Sequence, residues 1–177
     1  RDVAFVIDER RTFPTATGKV FAFSHYKIIP DAVIIGGTVN RCFQIGAVIT
    51  FKKTKMPVGK KEVGFIPCAG ALAAYEYCEK LAQTVKARGK KLCDTLNLCK
   101  RVNSAVAFGK YAVAEVQDGK KCAAELKEKG VKTGVSDNKL LFSVAPYLTE
   151  GEFEFGLYVI SDVLKGAQNP FDMAKNY

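Results

Sequence analysis

Between Pro30 and Ile49 the chain reads PDAVIIGGTVNRCFQIGAVI, and this wording narrows what can be built around it. The largely β-branched run Ala32 to Ile35 enters a small-residue turn at Gly36-Gly37-Thr38, and a second apolar run begins at Ile45 and ends at Thr50. Apolar runs of this length, bounded by turn residues, predict strand, irregular loop, strand. A loop held between two strands of one sheet is where a scaffold places its functional groups, so it is the first candidate for a site.

The flanking sequence extends this pattern. Asp2 to Ile7 (DVAFVI) predicts a parallel strand buried on both faces, with Asp8 and Glu9 at its C-terminal end. Pro67 is placed to open a long helix, where its missing N–H costs nothing. Leu72, Tyr75, Cys78, Leu81, Ala82 and Val85 form its expected apolar stripe. Gly89 is expected to interrupt or kink this helix before the pattern resumes through Leu92, Leu96 and Cys99, and the cluster Lys86, Arg88, Lys90, Lys91 predicts a solvated face. From Val102 onward the elements shorten. A strand is expected over 108–116, a glycine-ended helix over 119–130, strands over 131–135 and 140–144, and a last helix capped by Thr149 and Glu152 with Phe153, Leu157, Ile160 and Leu164 facing the core. This divides the chain into strands and loops at 1–66, a long helix region at 67–101, a small C-terminal α/β domain at 102–166 and a tail at 167–177.

With 48% hydrophobic and 25% charged residues, 177 residues suffice to bury a core. Lys plus Arg exceed Asp plus Glu by 27 to 18, for a net charge of +9. The excess is spread along the chain, so it predicts a solvated surface able to meet acidic neighbours, and no nucleic-acid partner is expected. The six cysteines contain no CxxC pair and several occupy apolar helix positions, which predicts free thiols in a reducing compartment rather than disulfides or a metal site. No stretch has the length of a membrane span and no signal peptide opens the sequence.

The wording of several segments is similar to that of the class III aminotransferases, pyridoxal phosphate enzymes such as ornithine, acetylornithine and 4-aminobutyrate aminotransferase. Pro30, Asp31, Val33, Gly36, Phe43, Ile45, Gly46, Ala47 and Val48 match the segment of that family that carries the cofactor lysine. Asp8-Glu9 followed by Thr12 to Gly18 resembles the family's D-E-V-Q-T-G segment, and Phe23-Ser24-His25-Tyr26 its F-x-H-Y turn. Gly109 with Glu115 and Ala145-Pro146-Tyr147-Leu148 resemble two later segments. The fold this implies is α/β: a remnant of the large domain of the pyridoxal-phosphate-dependent (aspartate aminotransferase-like) transferases, a long connecting helix and a small α+β C-terminal domain. A family member is more than twice this long, which implies that the N-terminal half of the cofactor domain is missing and that a sheet edge is left to be covered.

The resemblance also places this chain's departures from the family. Gly37 falls at the Schiff-base lysine, Arg10 and Arg11 at the residues that contact the ring, Glu62 at the threonine that reaches the cofactor phosphate and Ser143 at the arginine that grips the substrate carboxylate. Asp8 keeps the place of the pyridine-nitrogen partner, although pairing with a neighbouring arginine is the simpler role for a carboxylate at a strand end. The lone His25 is assigned no chemistry. Without an amine at Gly37 no covalent cofactor is expected, and no catalytic, metal or substrate-binding residue is assigned. The implied function is that of a catalytically inactive pseudoenzyme serving as a structural or accessory subunit of a larger protein assembly. The expected setting is the matrix side of the mitochondrion, in a respiratory-chain or ATP synthase complex, with the cytoplasm otherwise. The alternative is non-covalent binding or sensing of a phosphate-bearing vitamer or small anion by Arg10, Arg11 or Arg41.

Overall fold

The computed structural model describes residues 3–37, 45–51 and 63–165. Thr38, Arg41, Cys42, Phe43, the lysines at 52–61, Glu62 and the 167–177 tail lie outside the described residues. The chain divides into two compact units, one ending at Thr84 and one starting at Val85.

In the first unit β1 (Val6–Asp8) runs parallel to β2 (Ala32–Gly36), and β3 (Gly46–Thr50) is antiparallel to β2, giving a three-stranded sheet in the order β1-β2-β3. Ala32 and Val33 at the start of the central strand are fully buried. The segment that follows β1 folds into an aromatic cluster. Phe13 stacks on Phe21 with ring centroids 5.1 Å apart and Phe21 on Phe23 at 5.2 Å, while Phe51 meets Phe23 edge-on at 5.7 Å. Phe13 also stacks at 6.0 Å on Tyr75 of α1 (Phe65–Asn97), and the Thr15 hydroxyl donates to the Cys78 carbonyl at 3.1 Å, so this segment is fastened to the first part of the helix.

Two expectations for this unit are corrected. The strand expected over 2–7 pairs only from Val6 to Asp8, and it is not buried: Val3, Phe5 and Val6 are exposed. A parallel strand becomes buried when further strands and helices cover it, and among the described residues β1 is an edge with β2 on one side alone. Leu72 is not part of the buried helix stripe either. It is exposed, and the buried side runs instead through Ala82 and Val85, with Tyr75 and Cys78 half-buried.

In the second unit β4 (Val102–Phe108), β5 (Tyr111–Val116), β6 (Gly134–Ser136) and β7 (Lys139–Ser143) form an antiparallel sheet in the order β4-β5-β7-β6. Alternation along β5 and β7 turns Ala112, Ala114, Val116, Leu140 and Phe142 to one face. There they share a core with Leu92, Leu96, Leu126, Phe153, Leu157 and Leu164 from α1, α2 (Gly119–Glu128) and α3 (Glu150–Lys165). Small alanines on β5 let this helix layer approach closely.

The helix ends follow from side-chain chemistry. Asp118 accepts from the Lys121 amide at 3.0 Å to open α2. Gly130, at φ +87°, closes it, with the Val131 amide donating to the Leu126 carbonyl at 2.8 Å and the Gly130 amide to that of Lys127 at 3.0 Å, a Schellman arrangement. Thr149 and Glu152 form the expected capping box of α3: the Thr149 amide donates to Glu152 Oε2 at 2.7 Å and the Glu152 amide to Thr149 Oγ1 at 3.2 Å.

Gly89 does not break α1, which is continuous from Phe65 to Asn97. Its role is proximity: a β-carbon at Gly89 would sit 1.8 Å from the carbonyl oxygen of Gly109 in the β4–β5 turn. Arg88 is not on a solvated face. Its guanidinium lies 5.3 Å from the Phe153 ring centroid and donates to the Leu148 carbonyl at 2.7 Å and to Glu150 at 2.9 Å, which ties α1 to the start of α3. No helix among the described residues is long and apolar enough to cross a membrane.

Candidate functional site

The parallel pair β1–β2 sets Asp8 opposite Ile34, so both strands deliver their next residues to the same edge of the sheet. The carboxyl ends of parallel strands are where α/β sheets hold ligands, and three candidate positions, Asp8, Arg10 and Gly37, meet there. Gly36 and Gly37 have φ +155° and +63°, conformations that a side chain resists. A β-carbon at Gly36 would come within 3.0 Å of the Ile45 carbonyl oxygen, whereas one at Gly37 would lie 3.9 Å from the Arg10 carbonyl, so position 37 looks directly onto the β1 end.

Asp8 is already engaged. The Arg10 Nε donates to both of its carboxylate oxygens at 3.0 Å, Nη2 to Oδ2 at 2.7 Å and the Arg10 amide to Oδ1 at 3.0 Å. These hydrogen bonds hold the Asp8 carboxyl down at about 2, and the same partner raises Arg10.

Beside this pair sits Glu9, to which the sequence assigns no role of its own. It is 1% exposed, and its carboxylate accepts from the Thr12 hydroxyl and, at 2.9 Å, from the Phe23 amide, while its own amide donates to the Ile34 carbonyl at 2.9 Å. Burying a carboxylate is costly unless it is hydrogen-bonded. The arrangement therefore fixes the aromatic segment against the end of β2 and fixes the direction in which Asp8 and Arg10 project. Its one sequence signal is adjacency to Asp8. His25 Nε2 lies 3.2 Å from the Thr17 hydroxyl, inside the same segment.

Of the remaining candidates, Ser143 is exposed at the end of β7 in the second unit, and Arg41 and Glu62 lie outside the described residues. The described cysteines, Cys68, Cys78, Cys93, Cys99 and Cys122, are free thiols, and burial pushes Cys93, Cys99 and Cys122 up. No cluster of metal-binding side chains exists among the described residues.

No protein-family model matches the chain. Three curated relatives do, and all are named acetylornithine aminotransferase. That of Caldanaerobacter subterraneus subsp. tengcongensis is 27% identical over 92% of this chain and 45% of its own length, and that of Methanocaldococcus jannaschii is 25% identical over 86% and 42%. Among solved structures, the ornithine aminotransferase of Toxoplasma gondii superimposes with a TM-score of 0.78 over 99% of this chain and 45% of that one, at 20% identity. Ornithine δ-aminotransferase of Plasmodium falciparum does so with a TM-score of 0.75 over 93% and 47%, at 21% identity. The chain thus resembles acetylornithine and ornithine aminotransferases along nearly its whole length and has part of the fold of these pyridoxal-phosphate-dependent enzymes. It spans about half the length of the curated relatives it matches.

These relatives correct one expectation. The reading of the chain as a pseudoenzyme is overturned, because every curated relative matched is named as an enzyme and the chain corresponds to a part of one. What the described residues do show is narrower. Gly37 has no amine with which to hold an aldehyde, and Asp8 is paired with Arg10.

Proposed function

We propose that this chain works as an aminotransferase-like subunit of a larger protein assembly, in which other polypeptide covers its first sheet. The observation that carries this is the apolar surface of the first unit. Val3, Phe5, Ile29, Val48 and Phe51 are each at least 38% exposed around a sheet of three short strands, and Phe65 and Ile66 at the start of α1 are 85% and 64% exposed. Exposed apolar side chains beside an open sheet edge are what interfaces cover, and left open they drive association.

The proposed setting is a mitochondrial complex of the respiratory chain or the ATP synthase. Its support is the resemblance alone, and its test is co-migration with such a complex on native gels of fractionated mitochondria. Amino-group transfer is a property to measure on the isolated assembly.

Residues 1–177 expressed alone should self-associate or recruit protein in sedimentation velocity, and the amides of β3 should exchange rapidly. A monodisperse monomer whose β1, β2 and β3 amides are all strongly protected would show the sheet to be self-sufficient and would overturn the proposal.

A further inference from the structure

The sheet of the second unit packs its core on one face. Ala112, Ala114, Leu140 and Phe142 point to the helices, so the residues between them point the other way. The strand register lines these up in rows. The middle row runs from β4 to β6 as Val106, Val113, Leu141 and Gly134. On one side of it stand Phe108, Tyr111 and Ser143, and on the other Ser104, Glu115, Lys139 and Ser136. The outer face of an antiparallel sheet that covers a core is ordinarily polar. Here Val106 is 67% exposed, Leu141 48% and Phe108 43%, with Val113 and Tyr111 half-buried among them.

The rows are complementary to themselves. When two such faces meet, a two-fold axis parallel to the strands and midway between β5 and β7 lays each row on its own copy with the strand order reversed. Glu115 then faces Lys139 of the second copy, and neither residue makes an ion pair with another described residue. Val113 meets Leu141. Val106, the most exposed side chain of its row, meets Gly134, the one position in that row with no side chain to fill it. A two-fold axis across the strands would instead set Glu115 on Tyr111 and Gly134 on itself, leaving the charges unmatched and the hollow empty.

We propose that the outer face of this sheet docks a second copy of the same chain, sheet on sheet about the axis between β5 and β7, with the strand directions within about 30° of each other. Four strands about 4.8 Å apart make a face roughly 20 Å across, which is small for a permanent interface, so copies should exchange. This surface is separate from the exposed apolar residues of the first unit, and either can be covered without the other.

The test is photo-cross-linking between isotopically labelled and unlabelled copies of the full 177-residue chain, with p-benzoylphenylalanine in place of the exposed Ser104 at the rim of the face. A cross-link carrying both isotopes is expected at the β6–β7 segment around Ser136. Association through the first unit alone would sediment as oligomer without this cross-link. In the same background Gly134→Phe should lower the yield about tenfold or more by filling the hollow. Its β-carbon would lie 3.4 Å from that of Leu141, an ordinary contact, so the melting temperature should not fall. Glu115→Lys and Lys139→Glu should each lower the yield about tenfold, and mixing these two variants should restore it, because each copy then offers the charge the other lacks. Should Gly134→Phe fold poorly, the charge-reversed mixture decides the matter. Absence of the mixed-isotope cross-link, a yield that a well-folded Gly134→Phe leaves intact, or a mixture no better than either charge variant alone would each overturn the proposal.

Discussion

The glycines of this chain show how differently one residue type acts in two places. Gly89 sits in the interior of a helix, where replacement by alanine ordinarily stabilises by about 1 kcal/mol. Because a β-carbon there would run into the Gly109 carbonyl, Gly89→Ala should instead destabilise the second unit by about 1 to 3 kcal/mol, the usual cost of overpacking. Urea unfolding followed by circular dichroism measures the sign. Gly37 adopts φ +63° in the open beside Arg10. Gly37→Lys should cost about 1 to 2 kcal/mol for the left-handed backbone. By itself it should not confer amino-group transfer, since Arg10 and Arg11 still stand at the ring-contact positions and Ser143 at the carboxylate-arginine position that the resemblance assigns; transamination by the single variant, measured by amino-acid-dependent keto-acid formation, would overturn this.

At the scale of elements, the caps carry the more exposed electrostatics. The Thr149 amide and hydroxyl hold the Glu152 carboxyl below its usual range, and Arg88 does the same for Glu150. A carboxyl depressed in the folded state adds stability above its unfolded value, near 4.5, and loses it as pH falls through the folded value. Stability of the second unit should therefore fall on acidification below about pH 4.5, and Thr149→Ala should flatten part of that fall as well as costing about 1 kcal/mol at neutral pH. Thermal melts at several pH values test both. The cap was legible because its four-residue wording is local, as was the glycine stop of α2. The length of β1 was not, because an apolar run reads the same whether a sheet covers it or leaves it at an edge.

For the whole molecule, the two units differ in what they bury. The second encloses a continuous core from Leu92 to Leu164 with four leucines at 0% exposure, Leu96, Leu126, Leu140 and Leu164. The first relies on one aromatic cluster and a three-stranded sheet with exposed apolar residues. Expressed separately, residues 85–177 should unfold cooperatively in urea, while residues 1–84 should show no cooperative transition and should bind partner protein or aggregate. A cooperative transition in the 1–84 fragment would count against the proposed assembly role.

What the sequence determined by itself was local or verbal. The strand over 140–144, the capping box, the stop at Gly130 and the aminotransferase-like wording around residues 30–49 each depend on neighbours a few positions apart, so they survive without a tertiary context. What only the tertiary structure decided depends on distant backbone meeting in space. Gly89 is a contact with Gly109 rather than a kink, Arg88 is a tie between α1 and α3 rather than a solvated charge, and Glu9 is a buried carboxylate satisfied by Phe23, 14 residues away. The arginine beside Asp8 could be read as its partner from two residues' spacing. That the guanidinium covers both carboxylate oxygens at the point faced by Gly37 required the loop after β1 to fold back onto the end of β2. Burial and close approach are properties of the packed chain, and no periodicity encodes them.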